Sequence, residues 1–166
     1  MKSKWGLVLG LTVFISHANH IDDLPLVDNI ANWLKLIGVT PILAKDAYEP
    51  SYVAEKIGRM IDESYGVVVV YTEHAQQSGF VQQEIGYAHK AGKKIVILKT
   101  LGSKLTGFSY GYDTIDLDAE DLPKELAKLE KALEVPKETG GFWDVLLGVA
   151  AIAVAAGLII MAVRSK

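Results

Sequence analysis

The chain has 166 residues, of which 50% are hydrophobic and 22% are charged, and its formal net charge is −3. This length accommodates one domain of ordinary size with a short segment to spare. Lysine and arginine are scattered along the chain rather than gathered on one face, which argues against a nucleic-acid surface. The absence of cysteine excludes thiol catalysis and zinc sites with cysteine ligands.

The opening stretch, MKSKWGLVLGLTVFISHANH, has two incompatible interpretations. Lys2 and Lys4 precede an apolar run, and residues 16–18 (Ser-His-Ala) resemble a cleavage site, which is the outline of a secretory signal peptide. The β-branched and aromatic run Thr12–Ser16 is instead typical of a buried strand. We favour the strand, because an α/β sheet would otherwise lose its central member and because secretion would require an additional span at the other end of the chain.

Strand and helix patterns alternate from this first strand up to residue 135. Such alternation predicts a parallel sheet with helices on both faces, and the pattern fits a flavodoxin-like, doubly wound α/β fold of about five strands. The run VVVVY is apolar at every residue, as expected for a strand buried on both sides. The predicted elements are strand Thr12–Ser16, helix Asp23–Ile37, strand Val39–Leu43, helix Ser51–Ser64, strand 67–71, helix Ser78–Ala91, strand Lys94–Leu98, strand Thr114–Leu117 and helix Ala119–Val135.

The C-terminal region contains a long apolar run. Residues 145–163 carry no charge and no proline, and their length matches the roughly 20 residues that span a bilayer as a helix. A buried core helix is the alternative, but no polar residue marks a second face. We therefore predict an α/β domain over residues 1–135, a linker over 136–142 and a transmembrane helix over 143–164.

The predicted span also sets an expected location. Only residues 164–166 would have to cross the bilayer if the domain stays in the cytoplasm, so we expect a single-pass, C-terminally anchored protein with a cytoplasmic domain. Gly148, Ala151 and Ala155 place small side chains along the predicted helix, which lets such helices associate closely, although an ordinary alanine-rich span has the same pattern. Expected partners are the lipid bilayer and further copies of this chain, and no nucleic acid.

Several strings resemble one family when they are taken in order. TVFISHA followed by Asp22 and Asp23 resembles the first strand and loop of Toll/interleukin-1 receptor (TIR) domains. GVTPILAKD resembles their second strand and the entry to the BB loop, IDESYGVVVVYTEHAQQSGFVQQEIGYA their central helix–strand–helix run, and AGKKIVILK their fourth strand. The chain thus resembles a prokaryotic-type, single-domain TIR protein over roughly residues 10–135. It departs from the family at Phe80, where a tryptophan is usual, and at residues 49–51, where many members have Pro-Gly.

Glu84 is the leading catalytic candidate, first on periodicity alone. It lies at the border of the predicted apolar side of its helix, where a carboxylate is costly unless it is paired or functional. The alternative is that Glu84 turns to the rim and pairs with a lysine such as Lys45, or is an ordinary surface residue. The apolar side is predicted to consist of Phe80, Val81, Ile85 and Ala88.

The resemblance implies a reaction for this carboxylate, because Glu84 aligns with the glutamate that many TIR domains use to cleave NAD. Breaking the bond between nicotinamide and ribose develops oxocarbenium character at the anomeric carbon, as in glycoside hydrolysis. One carboxylate can stabilise that charge without a partner acid, since nicotinamide is already a cationic leaving group. Hydrolysis and cyclisation both remain open. NAD is then the substrate, and no cofactor is expected.

Other substrate contacts are expected at the carboxyl ends of the strands, where doubly wound sheets bind ligands. They are Phe14, Ser16, His17, Lys45, Asp46, Tyr48, Ser78 and Phe80.

Other chemistries have little support. His17 and His20 with Asp22 have the right ligand types for a metal, but an isolated H-x-x-H without a second cluster is more often chance, so no metal site is predicted. The sequence contains no phosphate-binding loop, no G-x-G-x-x-G and no nucleophile elbow, which excludes the standard NTPase, hydride-transfer and α/β-hydrolase sites.

Three functional hypotheses follow. The first is a membrane-anchored TIR enzyme that hydrolyses or cyclises NAD, in prokaryotic defence or cell-death signalling. The second is a non-enzymatic, membrane-anchored TIR module that recruits other TIR domains. The third is a nucleotide-sensing or nucleoside-transferring relative, because a fold alone does not assign chemistry.

Overall fold

The computed structural model describes residues 10–44, 53–118 and 121–135. The predicted contacts Lys45, Asp46 and Tyr48 lie outside these ranges, as do the predicted linker and transmembrane helix over residues 136–164. Within the described ranges, no helix is both long enough and apolar enough to span a bilayer.

The described residues form one five-stranded sheet in the order β2-β1-β3-β4-β5. All neighbouring strands are parallel, so the predicted five-stranded α/β fold is confirmed. The chain starts in the middle of the sheet and winds outward in both directions, which places a topological switch point between β1 and β3. The strands are β1 (Thr12–His17), β2 (Thr40–Leu43), β3 (Gly66–Tyr71), β4 (Lys94–Thr100) and β5 (Asp113–Leu117).

Four of the five helices in the described ranges correspond to predicted ones, with ends displaced by one to three residues. The remaining helix, α3, was not predicted. Its N-cap is Thr72, whose Oγ1 accepts a hydrogen bond from the Ala75 amide at 3.1 Å. The helices are α1 (Leu24–Leu36), α2 (Val53–Glu63), α3 (Glu73–Gln77), α4 (Gly79–Lys90) and α5 (Leu122–Ala132), and a short 3-10 helix spans Gly107–Ser109.

The sheet divides the core into two layers, each covered by helices. Successive side chains of a strand point to opposite faces, so Val13 and Ile15 pack toward α1 and α5. Phe14, between them, packs with Ile61 of α2 and Ile85 of α4. We call these two layers the α1/α5 face and the α2/α4 face. Ser16 belongs to the second, which places a polar group at its upper edge.

Matched positions on α1 test this layering. Leu34 is fully buried in the α1/α5 face, whereas Leu36, two residues on, is 56% exposed. We expect Leu34→Ala to lower the free energy of unfolding by about 2–5 kcal/mol, because it leaves a cavity in the core. Leu36→Ala should change it by less than about 0.5 kcal/mol. Urea unfolding followed by circular dichroism measures both, and equal losses would contradict the assignment of the two faces.

Candidate functional site

The candidate site forms where α4 crosses the end of β1. Ser78 begins α4 as its N-cap, and its Oγ accepts a hydrogen bond from the Val81 amide at 3.3 Å. The helix then turns Val81, Ile85 and Ala88 onto the sheet. Glu84 lies on the buried side of this helix and reaches Ser16 at the carboxyl end of β1. This position adjoins the switch point between β1 and β3.

The contact between Ser16 and Glu84 is short and buried. The Ser16 hydroxyl donates to Glu84 Oε2 at 2.5 Å. Ser16 is inaccessible to solvent and Glu84 is only 7% exposed, so the predicted position of Glu84 at the edge of the core is confirmed. Among the described residues, this is the hydrogen bond that the Glu84 carboxyl group receives, and no ion pair accompanies it. Lys45, the suggested partner, lies outside the described residues.

Burial controls the ionisation of this group. Loss of hydration raises the pKa of Glu84 from its ordinary value of 4.5 to about 7, and the hydrogen bond from Ser16 offsets part of that rise. Near neutral pH the side chain is therefore divided between its acid and carboxylate forms. A carboxyl group balanced in this way, in a buried position beside a switch point, is characteristic of functional sites.

The remaining predicted contacts differ in burial and in the face of the sheet on which they lie. Phe14 is fully buried beneath Ser16 and supports the strand from the α2/α4 face. His17 is buried at the end of β1, and strand alternation directs it to the opposite face from Ser16. Its Nδ1 lies 2.9 Å from the Ala18 carbonyl oxygen. Ser78 is half-buried and caps α4.

The predicted position of Phe80 on the apolar side of its helix is wrong. It is 74% exposed and does not belong to the buried side of α4. With 3.6 residues per turn, Phe80 is rotated by roughly 100° from Val81, which carries it off the sheet-facing stripe. Its ring therefore lies on the solvent side, one turn before Glu84.

A second polar network was not anticipated. The buried Asp23 accepts a hydrogen bond from the Thr72 hydroxyl at 2.7 Å, and its other oxygen lies 3.0 Å from His74 Nδ1. Thr72 directly follows β3, and Asp23 ends the loop that follows β1. Loops that follow neighbouring parallel strands meet at one edge of the sheet, so a sequence signal existed. The His74 side chain is 41% exposed, although it contacts the buried carboxylate of Asp23.

A cavity of about 540 Å³ opens beside this network, away from Ser16 and Glu84. It lies at the upper edge of the α1/α5 face. We nevertheless place the candidate catalytic site at Glu84, because this buried carboxyl group contacts Ser16 at the carboxyl end of β1 beside the switch point, and its pKa is raised to about 7. The lining residues are Asp22, Asp23, Leu26, Thr72, Glu73, His74, Thr100, Leu101, Leu117 and Leu122.

Comparison with known proteins identifies the class of this domain. The TIR domain family model matches residues 13–133, and the chain therefore belongs to the TIR domain family. This confirms the resemblance to the TIR family that the sequence indicated. Among proteins with curated descriptions, no sequence match was found.

Solved structures are similar to this chain at low sequence identity. A prokaryotic SEFIR domain has a TM-score of 0.59 at 20% identity, over 75% of this chain and 99% of that one. The CMP N-glycosidase BcmB of Clostridium botulinum has a TM-score of 0.50 at 18% identity, over 72% and 98%. The TIR domains of the activated Roq1 resistosome, which recognises the pathogen effector XopQ, have a TM-score of 0.48 at 14% identity, over 95% and 86%.

The raised pKa of Glu84 predicts a pH-dependent stability. In the folded chain the pKa is about 7, above the ordinary 4.5, so the unfolded chain releases this proton first as the pH rises. The contribution of Glu84 is therefore fully present below about pH 4.5 and is lost as the pH passes about 7, which amounts to roughly 3 kcal/mol. Glu84→Gln cannot titrate. Its free energy of unfolding should rise relative to that of wild type between these pH values.

Urea unfolding at a series of pH values measures this difference. Glu63→Gln, which removes an exposed carboxylate from α2, controls for the loss of one negative charge. A difference between wild type and Glu84→Gln that stays constant with pH would contradict the raised pKa.

Proposed function

We propose that this TIR domain is an enzyme that cleaves the bond between nicotinamide and ribose in NAD, with Glu84 as its catalytic carboxylate. The observation that carries the proposal is the buried contact between Glu84 and Ser16 beside the switch point of the sheet. Such switch points are where doubly wound folds bind nucleotides. The position of Glu84 thus joins a reactive group to a ligand-binding edge.

The chemistry needs one carboxylate. As the C–N bond lengthens, its electron pair returns to the pyridinium ring and nicotinamide leaves as a neutral molecule. Positive charge then develops on the ribose, where Glu84 stabilises it. Water attacks the anomeric carbon and loses a proton, which gives ADP-ribose. If a ring nitrogen elsewhere in the same NAD molecule attacks that carbon in place of water, a cyclic product forms instead.

The raised pKa suits this role. A cationic nicotinamide ribosyl group next to Glu84 favours the ionised carboxylate, so substrate binding promotes loss of the proton that burial retains. The resulting charge pair lies where little water screens it, which strengthens the electrostatic stabilisation. Activity is expected to require the carboxylate form of Glu84.

Further groups complete the proposed site. The exposed ring of Phe80, one turn before Glu84, offers an aromatic surface for stacking on a base. Lys45, Asp46 and Tyr48 remain proposed contacts for the phosphates and rings. The fold relative named a CMP N-glycosidase acts on a bond between a base and a ribose, which supports the class of reaction for this fold.

The proposed setting is a membrane. The apolar run over residues 145–163 would anchor the domain on the cytoplasmic side, and clustering of anchored copies would favour self-association. We propose that NAD cleavage by such clusters serves defence or cell-death signalling.

A specific observation favours a second candidate, a non-enzymatic recruitment module. Phe80 and Phe108 are 74% and 61% exposed, and exposed aromatic rings are typical of protein interfaces. Phe108 belongs to the 3-10 helix Gly107–Ser109, and its ring lies against Gly86 of α4, the helix that carries Phe80. A recruitment module would not need a buried carboxyl group at position 84.

The decisive experiment follows nicotinamide release from NAD by the full chain reconstituted in liposomes. We expect release by wild type and a loss of roughly 100-fold or more in Glu84→Gln, because the charge that stabilises the transition state is gone. Glu63→Gln should retain activity. CMP offered in place of NAD tests the nucleotide alternative. Folded, clustered wild-type protein that releases no base would favour the recruitment module.

Ser16 should set the pH dependence of the same reaction. Its hydrogen bond lowers the pKa of Glu84 from the value that burial alone would give. Wild-type kcat/KM should rise as the pH passes about 7, and Ser16→Ala should move that midpoint to higher pH while keeping activity at alkaline pH. Ser64→Ala removes another buried serine, one that bonds the Met60 carbonyl, and should leave the midpoint in place. A midpoint that stays in place in Ser16→Ala would refute the role of the Ser16 hydrogen bond in setting the pKa of Glu84.

A further inference from the structure

A second group of side chains with metal-binding chemistry lies at the upper edge of the fold. It consists of His20, Asp22 and His74, which we call the histidine cluster. One ligand atom from each lies within 4.8 Å of the others. The two imidazole rings are stacked, with centroids 3.5 Å apart and planes inclined by 14°. The loop after β1 and the start of α3 supply these residues.

His74 is already oriented. Its Nδ1 lies 3.0 Å from Asp23 Oδ1, and the other oxygen of Asp23 accepts the Thr72 hydroxyl. A carboxylate can only accept, so this hydrogen-bond network assigns the ring proton to Nδ1. Nε2 then carries the free lone pair. A buried carboxylate behind a histidine is the arrangement that fixes ring orientation and raises basicity in metal sites.

His20 and Asp22 supply the other two donors. His20 Nδ1 lies 3.8 Å from Asp22 Oδ2 and accepts a hydrogen bond from the Asp22 backbone amide at 3.3 Å. Two ligands of a tetrahedral zinc ion, bound at 2.0–2.2 Å, are separated by roughly 3.4 Å, so this pair is near the required spacing. Stacked rings direct their lone pairs side by side rather than toward one point. Ligation therefore requires the His20 ring to rotate and to give up the hydrogen bond from the Asp22 amide, which its 43% exposure permits, while Asp23 holds His74.

We propose that the histidine cluster binds a divalent transition-metal ion of the zinc class. Two imidazole nitrogens and one carboxylate suit Zn²⁺, Co²⁺, Ni²⁺ or Cu²⁺, whereas Ca²⁺ and Mg²⁺ prefer sites built from oxygen. Three protein ligands leave a coordination position open, and Asp22 and His74 also line the 540 Å³ cavity. The ion would join the loop after β1 to α3. This site is separate from Glu84 and does not depend on the proposed NAD chemistry.

The test uses the full chain in detergent micelles, without a histidine tag and stripped of metal. Zn²⁺ is titrated in competition with a chromophoric chelator, and Co²⁺ binding is followed by its visible absorption bands. We expect one ion per chain. Loss of a ligand should weaken binding at least as much as loss of an orienting group, so His20→Ala and His74→Ala should each lower the affinity at least about tenfold. His89→Ala, an exposed histidine of α4 outside the cluster, should bind as wild type does.

The binding measurements must be made on folded variants. Circular dichroism checks folding, and His20→Ala keeps the test valid if His74→Ala fails to fold, because His20 is partly exposed in a loop. Absence of stoichiometric binding, or equal affinity in wild type and both variants, would overturn the site and leave the stacked rings as a bridge between two loops. Displacement of Zn²⁺ by equimolar Ca²⁺ or Mg²⁺ would overturn the metal class.

Discussion

The pairing of β1 with both β2 and β3 is the constraint on which the rest of the structure depends. Because β1 is central, its side chains are buried on both faces, and the residues that follow it emerge at the middle of the sheet's upper edge. Ser16 thereby meets α4 on one face, while Asp23 meets Thr72 on the other. Both polar sites exist because one apolar strand runs between two neighbours and ends beside the switch point.

Two carboxyl groups are buried at this edge, and they differ in the hydrogen-bond partners that they have. Asp23 contacts a hydroxyl and an imidazole, one on each oxygen, and connects two loops. Glu84, in the described residues, receives one hydroxyl group, which does not offset its loss of hydration. The first arrangement stabilises structure, and the second leaves a group whose charge responds to whatever binds beside it. This contrast separates a structural carboxylate from a candidate catalytic one.

Much of the fold was predictable, because β1, β3 and β4 are rich in β-branched residues and each long helix carries a stripe of apolar ones. Helix α3 was missed, since five residues are too few to show a helical period. Glu84 could be found because it is a charged residue at the border of an apolar stripe. Phe80 was assigned to that stripe, but its side chain is exposed to solvent. The histidine cluster depends on β1 and β3 being neighbours, which brings together residues far apart in sequence and which no local pattern encodes.

The sheet separates the two polar sites as completely as it separates the two core layers. Val68 and Val70 of β3 pack on the α1/α5 face, whereas Val67 and Val69 pack on the α2/α4 face. Side chains of one layer are separated from those of the other by the strands, so a substitution in one layer reaches the other only through the shared backbone. A change at one edge site is therefore expected to disturb the other site less than it disturbs its own layer.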